Sequence, residues 1–219
     1  MIVYHYLNRQ YGLESICLRR LRASVVDELK DPYEHRAFAL SPRDDALFSR
    51  VIKQMGKPNR FNNWVGQGVI SFCKSYDSPV MWSQYAQDHQ GLCLGFKLID
   101  NAGGWREVEY VPDRKPMRLL DVAMQDMLIC ATTKFQDWKY EHEVRALVPL
   151  DPARREGGNY FFDYCPQLKL TAVIAGVNCT LPKATIDRAL GDLATDEVDR
   201  FKVRRNRGDF SMVRSKKQW

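Results

Sequence analysis

The stretch from Gly68 to Phe96, GVISFCKSYDSPVMWSQYAQDHQGLCLGF, constrains this chain more than any other. Residues 69–73 (Val-Ile-Ser-Phe-Cys) are β-branched and apolar, which predicts a largely buried strand. Ser78 followed by Pro79 predicts a helix start, with a capping hydroxyl and proline at the first helical position. On that helix Trp82, Tyr85 and His89 fall at i, i+3 and i+7 and share a face. Gly91 ends the helix, and Gly-Leu-Cys-Leu-Gly-Phe returns as a second buried strand. Three polar-tipped rings held between two strands either line a pocket or plug the core with their polar atoms bonded locally. The residues alone leave both readings open.

The remaining elements intersperse strands and helices without regular βαβ alternation. Residues 2–6 read as a strand, followed by a short basic helix with Leu13, Ile16, Cys17 and Leu21 in a stripe and a strand from Arg22 to Val26. Ser41-Pro42 with Asp44 and Asp45 opens a helix that Gly56 closes, and residues 57–67 read as a loop. Asp100 to Gly104 is another loop, and Arg106 to Val111 alternates as one strand. Leu119, Val122, Ala123, Met127 and Cys130 predict a long helix. Trp138 to Arg145 reads as extended, running into the strand 146–148. Strands at 160–164 and 168–175, a helix carrying Ile186 to Leu193, and two basic strands near 198–204 and 209–214 complete the chain. The pattern predicts an α+β fold: a mixed, mostly antiparallel sheet with several flanking helices. We expect one domain over 1–219 with a basic segment at 200–219.

That segment is a local feature. Arg200 to Trp219 holds eight Lys or Arg and one acid, Asp209, so it carries +7 of a total of +6 and the rest is near −1. Such an end attracts nucleic acid, with Arg204, Arg205 and Arg207 as the contacts, or is a solvated edge strand on which cations block pairing. No run approaches the roughly 18 apolar residues of a membrane span, and residues 1–12 lack the charged and apolar regions of a secretory signal. The expectation is no membrane partner, a cytoplasmic location and reduced thiols. The six cysteines are never closer than 14 residues apart, so Cys-x-x-Cys pairs are absent. His35, His89 and His142 have no second ligand at metal spacing, and no metal site is expected.

Polar function is densest in Trp138 to Arg145. Period-two geometry puts Glu141, Glu143 and Arg145 on one side of an extended segment. They are either an exposed ion pair of little worth or a carboxylate at a pocket, oriented by a guanidinium. His5, flanked by Tyr4 and Tyr6, either bonds to a neighbouring backbone or orients a ribose or phosphate.

These motifs, in order, resemble the bacterial family called domain of unknown function 2971. The resemblance is carried by the Tyr-His-Tyr opening and by Asp31-Pro32-Tyr33-Glu34, where Lys30 replaces the family's usual Asn. Ser71-Phe72-Cys73-Lys74-Ser75 departs slightly from the usual Cys-Phe-Ser. Met81-Trp82-Ser83-Gln84-Tyr85-Ala86, His89-Gln90-Gly91, Trp138 to Arg145 and Val173-Ile174-Ala175-Gly176 complete the set. The order of His5, Tyr76, Tyr85 and Glu143 is also similar to that in ADP-ribosyltransferase domains. That resemblance implies NAD as substrate, cradled by His5, Tyr76, Trp82, Tyr85 and Arg145. Glu143, or Glu141 beside it, would polarise the glycosidic bond. It further implies a place in phage defence or a toxin system, with a neutralising partner protein. The alternative is a non-catalytic module of such a system that binds nucleic acid or a partner, its aromatic faces and basic strand suited to single strands.

Overall fold

The computed structural model describes every residue except 26, 27, 30, 56–66, 100–103, 124, 125, 195, 196, 217 and 218. Its strands are β1 (Ile2–Leu7), β2 (Arg20–Ala23), β3 (Phe38–Ala39), β4 (Gln67–Cys73), β5 (Leu92–Leu98), β6 (Trp105–Glu107), β7 (Glu109–Val111) and β8 (Lys115–Pro116). There follow β9 (Thr133–Phe135), β10 (Glu143–Pro149), β11 (Arg155–Glu156), β12 (Asn159–Asp163), β13 (Leu168–Ala175), β14 (Asp199–Arg205) and β15 (Met212–Arg214). The helices are α1 (Arg9–Leu18), α2 (Pro42–Met55), α3 (Pro79–Tyr85), α4 (Asp126–Thr132) and α5 (Lys183–Leu190). The fold is α+β, with a mixed, mostly antiparallel sheet. The chain divides into two compact units, Met1–Leu21 with Phe72–Asn101 and Asp163–Trp219, and Arg22–Ser71 with Ala102–Phe162.

In the first unit the strands run β15-β14-β13-β5-β1. β1 lies antiparallel to β5 over its whole length, Ile2↔Lys97 to Leu7↔Leu92. Its other side meets the end of β4 at Tyr4↔Cys73. β13 and β14 are parallel, Val173↔Arg200 and Ala175↔Lys202. Parallel neighbours need a crossover, and the segment carrying α5 supplies it. Val3, Leu92, Leu94, Phe96, Val173, Ile174 and Ile186 are fully buried. Two glycines permit the closest backbone approaches. A Cβ on Gly91 would lie 2.1 Å from the Leu7 carbonyl oxygen, and one on Gly176 would lie 2.0 Å from that of His89.

In the second unit Gln67–Ser71 of β4 neighbours β10, and β10 pairs antiparallel with β6, Arg145↔Arg106. Two short parallel pairs, β3 with β8 and β7 with β9, stand beside them. α2 starts where Ser41-Pro42 predicts, and its acids Asp44 and Asp45 complement the helix dipole. Phe48 and Ile52 on α2 pack with Phe38, Met127 and Cys130 in a buried cluster.

Several expectations are corrected. α3 stops at Tyr85, so His89 is not on it. Gln87, Asp88 and His89 instead have positive φ, which carries the chain to Gly91 in a tight turn. The expected long helix at 119–130 is a 3-10 turn at Leu119–Asp121 and the separate α4. The Asp126 carboxylate accepts from the Ala123 N–H at 2.8 Å. Trp138 to His142 is not extended: Gln136–Glu141 is a 3-10 helix, ended by His142 at φ 43°, and the strand begins at Glu143. Arg106–Val111 is two strands with different partners, and α1, capped by Asn8, ends at Leu18, so Leu21 is not on its stripe but on β2. The Gly56 stop, nearly all of the 57–67 loop and most of the 100–104 loop lie outside the described residues.

Candidate functional site

The basic end of the first unit is built on a strand and a crossover. Along β14, Phe201 and Val203 are buried, while Arg200, Lys202 and Arg204 alternate with them and are half-buried. Period two therefore places those three cations on one face. α5 meets that face: the Lys202 ammonium donates to the Cys179 carbonyl at 2.6 Å, and Arg200 Nε lies 3.6 Å from Asp187 of α5. β15 is tied in by the Met212 N–H donating to the Asp77 carbonyl at 2.8 Å. Its Arg214 stacks over the Phe201 ring at 4.5 Å and pairs with Asp199. Trp219 is fixed by its indole N–H donating to the Leu181 carbonyl at 2.9 Å.

Together Lys183, Arg200, Phe201, Lys202, Arg214, Ser215, Lys216 and Trp219 line a cavity of about 670 Å³. Five of these are cationic, and among the described residues the carboxylates paired with them are Asp187, shared by Lys183 and Arg200, and Asp199. Arg204, Arg205 and Arg207 continue from the end of β14, the last two exposed. Asp209 is turned away to Asn206 and Ser211. Of the cavity residues, the +7 count signals the cations from Arg200 onward. Lys183 and Trp219 become part of the site only through tertiary structure.

The residues expected to cradle NAD fall in both units. In the first, His5 is half-buried on β1, its ring 5.6 Å from that of Phe72. Trp82 is fully buried, donates from its indole to the Tyr76 carbonyl at 2.7 Å and meets Tyr6 edge-on at 5.1 Å. Tyr76 sits between Tyr4 and Phe201, with centroids 5.3 and 5.5 Å away. Tyr85 is half-buried at the end of α3. Trp82 thus takes the core-plug arrangement.

In the second unit Glu141, Glu143 and Arg145 come together in a buried ion network with Glu34 and Lys134, two members the sequence reading missed. Arg145 is 0% exposed. Its Nε and Nη2 donate to the two oxygens of Glu143 at 2.9 and 3.0 Å, Nη2 also to Glu34 at 2.7 Å, and Nη1 to the Ala131 carbonyl at 2.7 Å. Lys134 Nζ donates to Glu141 at 2.6 Å and Glu143 at 3.2 Å, lies 3.4 Å from Glu34, and stands 4.9 Å over the Trp138 ring. The Glu143 N–H donates to the Tyr110 hydroxyl at 2.8 Å. Burial alone would raise the Glu143 pKa, but the Arg145 guanidinium overrides it, with Lys134 and Ser71 helping, and holds it at about 2. His35, next along the chain from Glu34, is pushed down to about 4 by burial and by Arg145, against Glu34 and Glu143. The exposed ion pair, one of the two readings of these residues, does not form: the pairs are buried, and their energetics differ accordingly. Glu34 carries a legible signal in Asp-Pro-Tyr-Glu; Lys134 has none.

Among the described residues no group of three or more His, Cys, Asp or Glu is placed to hold a metal, and no helix is long and apolar enough to cross a membrane.

Residues 81–146 match the family described as Protein of unknown function (DUF2971), which supports the family resemblance for that part of the chain. The segment runs from α3 into β10 and contains Lys134, Glu141, Glu143 and Arg145, but not the basic end. No curated protein and no solved structure matches the chain.

Proposed function

We propose that this protein binds single-stranded nucleic acid through the basic end of its first unit. The observation that carries the reading is the cavity lined by Lys183, Arg200, Lys202, Arg214 and Lys216, with Arg204, Arg205 and Arg207 leading on from it. Phosphates meet the cations, and the fixed indole of Trp219 offers a platform for a base. Alternate residues on β14 repeat at about 6.6 Å, a spacing comparable to one nucleotide step of an extended strand. The acids Asp187 and Asp199 preorganise the guanidiniums without neutralising the set. The test is fluorescence anisotropy with labelled oligo-dT and with a duplex of equal length. The single strand should bind at low salt, and Trp219→Ala should weaken it about fivefold or more. Failure to bind at low salt, or tighter binding of the duplex with no effect of Trp219→Ala, overturns the reading.

We further propose that Glu141 and Glu143 hold the second unit's ion network rather than meet a ribose. Both are 4% exposed, and both bond to Lys134. NAD transfer, the activity implied by the ADP-ribosyltransferase resemblance, is read with labelled NAD: label moved to protein or nucleic acid by wild type and lost in Glu143→Gln would reverse this assignment.

A further inference from the structure

The second unit has a cavity of its own, of about 340 Å³, lined among others by Tyr33, Arg36, Asp113, Arg114 and Phe135. That volume lies in the range of small-ligand sites. One wall is the turn Asp31–Arg36. The Asp31 carboxylate accepts from the Tyr33 N–H at 2.8 Å, and the Glu34 and Arg36 N–H groups donate back to the Asp31 and Tyr33 carbonyls at 3.0 Å. His35 closes the turn at φ 59°. The result sorts the side chains: Glu34 and His35 are buried, while Tyr33 stays 60% exposed and Arg36 faces the cavity. The other wall is the parallel pair β7–β9, where Tyr110 stands opposite Lys134 and Val111 opposite Phe135. Phe135 is 43% exposed. Arg114 enters from the side, its guanidinium 5.6 Å over the Tyr33 ring.

The ion network ties the two walls together. Glu34 belongs to the first and Lys134 to the second, and both meet Arg145 or its partner Glu143. Buried, multiply bonded charges hold one geometry, so the exposed rings and guanidiniums are presented by a fixed frame. We infer that this cavity is a binding site for a nucleoside phosphate. The rings of Tyr33 and Phe135 suit a base, Arg114 and Arg36 suit phosphate, and the Asp113 carboxylate offers an acceptor for a sugar hydroxyl. Arg36 also pairs with the Asp45 carboxylate at 2.9 Å, whereas Arg114 Nη1 donates to the neutral Phe38 carbonyl at 3.4 Å, which makes Arg114 the principal anion contact.

The full chain is titrated by calorimetry with AMP, ADP and NAD, and separately with adenosine and with inorganic phosphate. A nucleotide should bind at least tenfold more tightly than adenosine or phosphate alone. Tyr33→Ala and Arg114→Gln, both exposed positions, should each weaken it about tenfold by removing stacking or a charge-assisted bond. Neither change should alter oligo-dT binding, so this site and the basic end of the first unit are judged separately. The inference is overturned if no nucleotide binds at millimolar concentration, if phosphate binds as well as the nucleotides, or if both variants bind like wild type.

Discussion

Replacing Arg145 by Met removes the centre of the buried network while keeping a long apolar side chain in its place. Arg145 makes four hydrogen bonds, two to Glu143 and one each to Glu34 and the Ala131 carbonyl. Without it, three buried carboxylates at Glu34, Glu141 and Glu143 share one buried cation, Lys134. Breaking a buried pair by removing one partner costs about 3–5 kcal/mol, and the number of carboxylates left places this variant at the upper end. For a chain of this size that is a fall of roughly 10–20 °C in melting temperature. The acid dependence gives a second signature. Glu143 has a folded pKa of about 2 against an ordinary 4.5, so its contribution is complete above 4.5 and is lost as pH falls towards 2. That contribution is about 3 kcal/mol. In Arg145→Met the principal lowering influence is gone, burial raises the Glu143 pKa, and stability should no longer fall across this window. Adding Glu143→Leu should recover part of the loss, since it removes an uncompensated buried charge. Urea denaturation followed by circular dichroism from pH 7 to pH 2.5 measures both effects. A variant within about 1 kcal/mol of wild type, with an unchanged acid profile, would refute the reasoning.

His35 has a folded pKa of about 4 against an ordinary 6.5, so its neutral form supports folding above 6.5 and that support is lost as pH falls from 6.5 to 4. His35→Asn, which tolerates the positive φ, should flatten denaturation midpoints over that window, and an unchanged slope would assign the titration elsewhere. Trp82→Ala should cost about 3–5 kcal/mol through the cavity and the unpaired Tyr76 carbonyl, read by thermal melting. Gly176→Ala should abolish soluble folded protein, because its Cβ would meet the His89 carbonyl oxygen at 2.0 Å; expression with a native melting temperature would contradict this.

The sequence was informative where local chemistry decides the structure. β13 lies at Leu168–Ala175, where Leu-Lys-Leu-Thr alternates before the apolar run Ala172–Ala175, and Ser41-Pro42 with two following acids marks the start of α2. It was misleading where the backbone turns inside an apolar or alternating run. Apolar spacing from Leu119 to Cys130 imitates one helix, yet Val122 leaves the 3-10 turn with extended backbone and α4 is a separate helix. Trp138 to His142 alternates like a strand, but Glu141 reaches Lys134 from a 3-10 turn. The charge of the basic end was countable from the chain. The cavity that gathers it depends on the α5 crossover bringing Lys183 beside Arg200, and Lys134 joins the network through a fold that no local motif announces.

The most direct test of nucleic-acid binding is the salt dependence of oligo-dT affinity for wild type and for Arg204→Gln/Arg214→Gln/Lys216→Gln. Each phosphate contact to a single strand contributes about 0.7 to the slope of log K against log salt. Losing three contacts should therefore reduce the slope by about 2, while Lys97→Gln, an exposed cation on β5 outside the cavity, should leave it unchanged. An identical slope for wild type and the triple variant would show that the basic end does not hold the strand.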